Sequence, residues 1–138
     1  KMKKILLFSI IVLFQMGFSQ TKLDANSSIY KGVKLEKVND VNLDYIVNAK
    51  LLWDFSKIDL KGKQVSIEVV TIYDCFNGEK ASDFKSQFTV LNKDNFKIKG
   101  SHELIHLELM AKCFKWRVVV QGTDGKQVSD WSYFSFLK

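Results

Sequence analysis

The C-terminal segment of the chain, residues 113–136, constrains the fold more than any other stretch, because two alternating apolar runs are joined there by a turn. In the first run four apolar residues share one parity, and polar residues take most of the other: Phe114, Trp116, Val118 and Val120 alternate with Lys115, Arg117 and Gln121. The second run covers residues 131–136, and between the two lies Asp124-Gly125, a pair that favours a tight turn. A period of two is typical of strands with one buried face. The segment therefore predicts a β-hairpin.

Runs rich in β-branched and aromatic residues predict further strands upstream of the hairpin. They are residues 51–55, residues 65–73, residues 84–91 and residues 105–109. An alternating run over residues 33–38 predicts a first strand. Together these runs predict an all-β chain.

The residues around the hairpin resemble those of one family. Phe114-Lys-Trp-Arg-Val118, a loop containing glycine, and Ser129-Asp-Trp-Ser132 are similar to the F and G strands of a fibronectin type III domain, an immunoglobulin-like β-sandwich. The resemblance covers roughly residues 50–138. It implies a two-sheet antiparallel sandwich of about seven strands, with Trp53 in its core. It implies that residues 51–55 end strand B, that residues 65–73 form strand C and residues 84–91 strand C′, and that Ile105, Leu107 and Leu109 belong to strand E. It also implies that strands C and F are antiparallel neighbours.

The N-terminal segment predicts export. A basic start (residues 1–4) precedes an apolar run (residues 5–14), and Gly17 and Ser19 place small residues where a signal peptidase reads them. We therefore assign residues 1–19 to a secretory signal peptide, residues 20–45 to an N-terminal segment with a strand A, and residues 46–138 to the sandwich. The apolar run is shorter than the about 20 residues of a membrane span, so no transmembrane segment is expected after cleavage.

The predicted cleavage also bears on the compartment and on the charge. The Lys-Lys start and the Ser-Gln cut resemble those of exported proteins of the Bacteroidota group of Gram-negative bacteria, which implies the periplasm, the outer-membrane periphery or the medium. Loss of Lys1, Lys3 and Lys4 lowers the formal net charge of +6 by three. The remaining lysines are scattered, as on a solvated surface, so we expect no nucleic-acid partner.

The two cysteines, Cys75 and Cys113, suggest a disulfide in an exported protein. The fold implied by the resemblance places Cys75 at the end of strand C, beside Cys113 at the start of strand F. Closing that loop would stabilise the fold by about 3–4 kcal/mol. Two unpaired thiols are the alternative, because a cross-strand disulfide demands a narrow geometry.

One motif suggests catalysis. The residues His102-Glu-Leu-Ile-His106 form a literal H-E-x-x-H, which on a helix would let His102 and His106 bind zinc while Glu103 activates a water, as in zincin metalloproteases. On a strand, however, the two histidines would lie about 13 Å apart, too far to share a metal ion. The alternation of residues 105–109 favours the strand.

A candidate recognition surface lies on the hairpin itself. Arg117, pointing outward from strand F, and Trp131, at the start of strand G, are expected to lie close enough for the guanidinium to stack on the indole. Asp124 and Lys126 belong to the adjoining loop, and loops on such scaffolds often carry recognition, as the polar segment of residues 74–83 also would.

The sequence thus favours a non-enzymatic interaction module that binds a protein partner in the cell envelope or at the cell surface, without a cofactor. A carbohydrate- or small-ligand-binding module is the first alternative, and it requires Trp53, Tyr73 or Trp131 to line a groove. A zinc peptidase is the second alternative, and it requires a helix from His102 to His106.

Overall fold

A computed structural model describes residues 19–73, 75 and 86–138 of the chain. The strands are β1 (Gln20–Lys22), β2 (Val33–Asn39), β3 (Val47–Asp54), β4 (Gln64–Ile72), β5 (Gln87–Leu91), β6 (Lys99–Leu104), β7 (Cys113–Gly122), β8 (Gly125–Val128) and β9 (Ser132–Ser135). Two short helices, α1 (Ser28–Lys31) and α2 (His106–Leu109), lie between strands. The predicted signal peptide up to residue 18 and the polar segment of residues 74–83, apart from Cys75, lie outside the described residues.

The strands form two sheets that face each other. One sheet has the order β2-β3-β6, and the other has the order β1-β8-β7-β4-β5, with β9 also paired to β7. All pairs are antiparallel except β1 and β8, which are parallel. The predicted all-β, two-sheet sandwich is therefore confirmed. No helix in the described part of the chain is long and apolar enough to cross a membrane.

The core between the sheets follows the period-two pattern of the sequence. Inward-facing residues from both sheets form one cluster, which includes Leu51, Trp53, Val65, Ile67, Val69, Phe114, Trp116, Val118 and Phe134. The rings of Phe114, Phe134 and Phe136 pack with centroids 5.1–5.5 Å apart. The predicted core residue Trp53 is buried, and its indole N–H donates to the carbonyl of Lys97 at 2.9 Å.

The predicted hairpin is confirmed in part: β9, in the second predicted run, pairs with β7, but the turn joins β7 to the additional strand β8. β7 and β8 meet through the pair Gly122 and Gly125, and Gly125 has a φ of 127°, a conformation that suits glycine. β4 pairs with β7 along its whole length, so the expected C and F strands are antiparallel neighbours. β2, β3 and β5 likewise lie in the segments predicted as strands A, B and C′. Of the segment predicted as C′, the structure describes residues 86–91.

The last predicted strand, residues 131–136, corresponds to β9, and β1 and β8 are additional, so the described chain has nine strands instead of about seven. Ser129 separates β8 from β9 along β7. Its hydroxyl accepts the N–H of Val118 at 3.0 Å, and its own N–H donates to the carbonyl of Val118 at 2.9 Å. The side chain thus takes the place of a backbone partner, and the ladder resumes where Ser132 pairs with Trp116.

The prediction of strand E was wrong. Residues 105–109, which were predicted to form this strand from their alternating pattern, form a helical turn instead. In it, the carbonyl of Ile105 accepts the N–H groups of Glu108 and Leu109. The strand beside β3 is β6, which ends at Leu104. β6 is an edge strand whose residues are mostly exposed, so it carries no apolar alternation to reveal it.

The predicted disulfide is not present in the structure. Cys75 and Cys113 are both thiols, and the Cys113 sulfhydryl lies 3.7 Å from the carbonyl oxygen of Ile72. The register explains the difference, because Cys113 pairs with Ile72 and not with Cys75, which lies three residues further along the chain.

Candidate functional site

Arg117 and Trp131 lie together on the outer face of the larger sheet, as predicted. The Arg117 guanidinium carbon is 4.4 Å from the centroid of the indole ring, and the ammonium of Lys115 is 4.6 Å from the same centroid. Arg117 Nε also donates to Glu68 Oε2 at 2.7 Å, across the β4–β7 pair. The ring of Trp131 is therefore contacted by two cations, one of which is fixed by a carboxylate.

The other two predicted recognition residues lie apart from this cluster. Lys126 pairs with Gln121, four residues along β7 from Arg117, which corresponds to about 13 Å. Asp124 lies in the turn beyond, where its carboxylate accepts the Thr123 hydroxyl at 3.4 Å. The four predicted residues therefore do not form one site.

The aromatic residues proposed for a carbohydrate groove do not line a common surface. Trp53 is buried in the core, and Trp131 is half-buried beneath Lys115 and Arg117. Tyr73 is exposed, with the ammonium of Lys112 5.9 Å from its ring centroid. Sugar recognition by stacking needs an accessible ring face, which Trp53 does not offer.

The residues of the H-E-x-x-H motif are divided between two elements. His102 lies in β6 opposite Leu51, and Glu103 pairs with Lys50 on β3 at 3.9 Å. His106 is the first residue of α2, and its ring packs edge-on against Phe136. The helix that the zinc hypothesis requires is thus absent from these residues. In the described part of the chain no three His, Cys, Asp or Glu residues are grouped to hold a metal ion.

A different surface stands out at the end of the sandwich where β3 and β7 begin. Four large apolar side chains in the β2–β3 and β6–β7 connections are exposed: Val41 by 93%, Met110 by 71%, Tyr45 by 62% and Leu107 by 59%. We call this surface the apolar end. Side chains of this kind are more often buried, so we take the apolar end as the candidate contact surface.

The two connections are joined by hydrogen bonds that centre on Asn48. Its amide nitrogen donates to Asp40 Oδ2 at 3.0 Å, and its amide oxygen accepts the backbone N–H of His106 at 2.9 Å. Asp40 Oδ1 also accepts the N–H groups of Asn42 and Leu43. These bonds, with that to Asn42 contributing most, lower the pKa of Asp40. The network holds Val41 outward at the tip of a closed turn.

Met110 shows backbone strain at the same surface. It is the only non-glycine residue of the described chain with a positive φ, at 50°, and it ends α2 by donating its N–H to His106. Glycine usually occupies such a left-handed helix end, because a side chain costs about 1 kcal/mol there. Strain of this kind is commonly found where a side chain serves a function.

Sequence patterns gave little indication of the apolar end. One signal was available: Val41 and Tyr45 are flanked by Asp40, Asn42 and Asp44, so large apolar residues stand in a polar turn segment. Comparisons of the chain with protein-family models, with curated proteins and with solved structures found no match.

Proposed function

We propose that the chain is an exported, non-enzymatic interaction module, built on a fibronectin type III-like sandwich, that binds a protein partner through the apolar end. The distribution of the strands supports the fold assignment. β3 and β6, which take the places of strands B and E, lie in one sheet. β4, β7 and β9, which take the places of C, F and G, lie in the other sheet, as in immunoglobulin-like sandwiches.

The observation that carries the proposal is the fixed exposure of Val41, Tyr45, Leu107 and Met110. Exposed apolar clusters on folded domains mark contact surfaces, and methionine adapts well to a partner's shape. Asp40 and Asn48 hold both connections in place before a partner binds. Binding therefore costs little free energy for ordering the two connections. Preorganised loops on a rigid sandwich are a common means of recognition.

The compartment follows from the N-terminal pattern. A basic start, an apolar run and Ser19-Gln20 support cleavage by a signal peptidase, which would leave Gln20 as the first residue of the exported chain. The partner would then be a protein of the cell envelope or of the cell surface.

Site-specific photo-crosslinking tests the proposal. The full chain, including the N-terminal segment, is expressed in the cell that exports it, with a photoreactive amino acid replacing Val41 or, separately, Leu107. We expect both positions to form an adduct with the same envelope protein. The control is the same replacement at Lys34, which is exposed on β2 away from the apolar end.

Three results would contradict the proposal. Equal adducts from Lys34 would show unspecific contact, and no adduct from Val41 or Leu107 would remove the apolar end as a binding surface. Retention of the chain in the cytosol with residues 1–19 attached would refute export.

A further inference from the structure

We infer a second binding site, at the end of the sandwich opposite the apolar end, for the carboxyl-terminal residue of a peptide. A cavity of about 650 Å³ lies there, where the β3–β4 connection, the β5–β6 connection and the β7–β8 turn meet. Sites for small ligands commonly have volumes of about 300–1,000 Å³. The cavity shares no residue with the apolar end, so this site is independent of the proposed function.

The floor of the cavity is apolar and is supported by the core. Leu60 and Phe96 line it. The ring of Phe96 lies parallel to that of the fully buried Phe55, with centroids 6.4 Å apart, yet 39% of Phe96 remains exposed. An apolar side chain placed on this floor would remove further apolar surface from water, which favours binding.

The rim of the cavity is cationic. Lys63 and Lys93 line it and are exposed, and neither forms an ion pair with another residue that the structure describes. The two connections that supply them, residues 56–63 and 92–98, contain five lysines against two aspartates. One of these carboxylates, that of Asp59, accepts the N–H of Lys61. The positive excess favours an anionic ligand, and ammonium–carboxylate hydrogen bonds are among the stronger polar contacts.

The remaining lining groups favour a peptide over a fatty acid as the source of the carboxylate. The amide side chains of Gln64 and Gln121 lie at the wall, opposite each other across the β4–β7 pair. Gln121 Nε2 donates to the carbonyl of Gly122 at 3.3 Å, so its oxygen can still accept. A peptide end offers amide groups to these side chains. A fatty acid offers no amide group, so it would form no such hydrogen bonds with these side chains.

A chemical-shift titration of the purified protein with N-acetylphenylalanine tests the site, because this probe combines an aromatic ring, an amide and a carboxylate. We expect the backbone amide signals of Gly62, Gly122 and Thr123 to shift and saturate, with an affinity on the order of millimolar. The amide of the same compound lacks the charge, and octanoate lacks the amide group. We expect each of them to bind about tenfold more weakly.

Variants of exposed lysines supply the matched comparison. The double change Lys63→Gln and Lys93→Gln should lower the affinity for N-acetylphenylalanine several-fold. Lys34→Gln with Lys37→Gln on β2 removes the same charge elsewhere and should leave the affinity unchanged. The site is refuted if no saturable shift appears at Gly62, Gly122 and Thr123, or if the acid and its amide bind equally. Equal binding of octanoate would overturn the peptide assignment.

Discussion

At the scale of single residues, the contact between Gly100 and Trp53 shows how closely the smaller sheet is packed. A Cβ at Gly100 would lie 2.6 Å from Cζ2 and 2.9 Å from Cε2 of the buried indole. We therefore expect Gly100→Ala to lower the free energy of unfolding by about 1–3 kcal/mol, because the indole would have to move out of its place. Chemical denaturation measures this change.

Gly122 provides the control for that prediction. A Cβ there would meet its nearest atoms only at 3.9 Å, which is ordinary contact. Gly122→Ala should change the free energy of unfolding by about 0.5 kcal/mol or less. Equal effects of the two changes would show that the contact with Trp53 does not limit position 100.

Met110 links stability to recognition at one residue. Because its φ of 50° is costly for a side chain and natural for glycine, Met110→Gly should raise the free energy of unfolding by about 1 kcal/mol. Met110→Ala keeps the strained backbone, so its stability should stay near that of the wild type. Both variants lack the exposed methionine side chain, and both should cross-link less to the partner. A partner adduct that survives in both would exclude Met110 from the interface.

At the scale of elements, the β2–β3 connection should respond to acid through Asp40. Hydrogen bonds from Asn42, Asn48 and Leu43 lower the pKa of its carboxyl, so the folded state holds the charged form more strongly than the unfolded chain does. The resulting stabilisation is complete above the ordinary aspartate pKa of about 3.9 and is lost as pH falls through the lowered value.

Asp40→Asn tests this dependence, because the amide oxygen can still accept the loop N–H groups but carries no charge. The wild type should be more stable than the variant at pH 7, and the difference in free energy of unfolding should shrink below about pH 4. A difference that stays constant down to pH 2 would show that the charge of Asp40 does not stabilise the connection.

Two ion pairs allow the contribution of burial to be compared between elements. The Arg117–Glu68 pair joins β7 to β4 with side chains only 21% and 16% exposed. A double-mutant cycle with Arg117→Gln and Glu68→Gln should give a coupling of about 1–2 kcal/mol. The Lys22–Asp130 pair is short but exposed, and its coupling should be close to zero. Equal couplings would mean that burial does not govern the strength of these pairs.

The elements also show which parts of the fold the sequence could predict. β4 and β7 were predictable because they are central strands. Their inward-facing residues, such as Val69 and Trp116, are regularly apolar and therefore give an alternating pattern in the sequence. β6 was not predictable, because it is an edge strand with mostly exposed residues. Its Gly100 packs against the indole of Trp53 without an apolar side chain of its own. The alternation of residues 105–109 instead arises in a helical turn that exposes Leu107.

At the scale of the whole molecule, the candidate site depends on contacts that sequence spacing does not reveal. Arg117 and Trp131 could be placed together because one hairpin carries both. The apolar end could not, because Val41 and Leu107 are brought to one surface by the pairing of β2 and β6 with β3 and by the hydrogen bonds of Asn48. An apolar residue in a sequence gives no sign by itself that folding leaves it exposed.

The reactivity of the two cysteines reports on the fold as a whole. Cys113 is buried at the start of β7, whereas Cys75 is half-buried after β4. Iodoacetamide should therefore modify Cys75 in the native protein and modify Cys113 only when the β4–β7 pairing opens, with a rate that rises with denaturant. Mass spectrometry counts the modified thiols, and Cys75→Ser should abolish the native reaction. If neither cysteine of the exported protein reacts after unfolding without reductant, the two are joined by a disulfide, contrary to the structure.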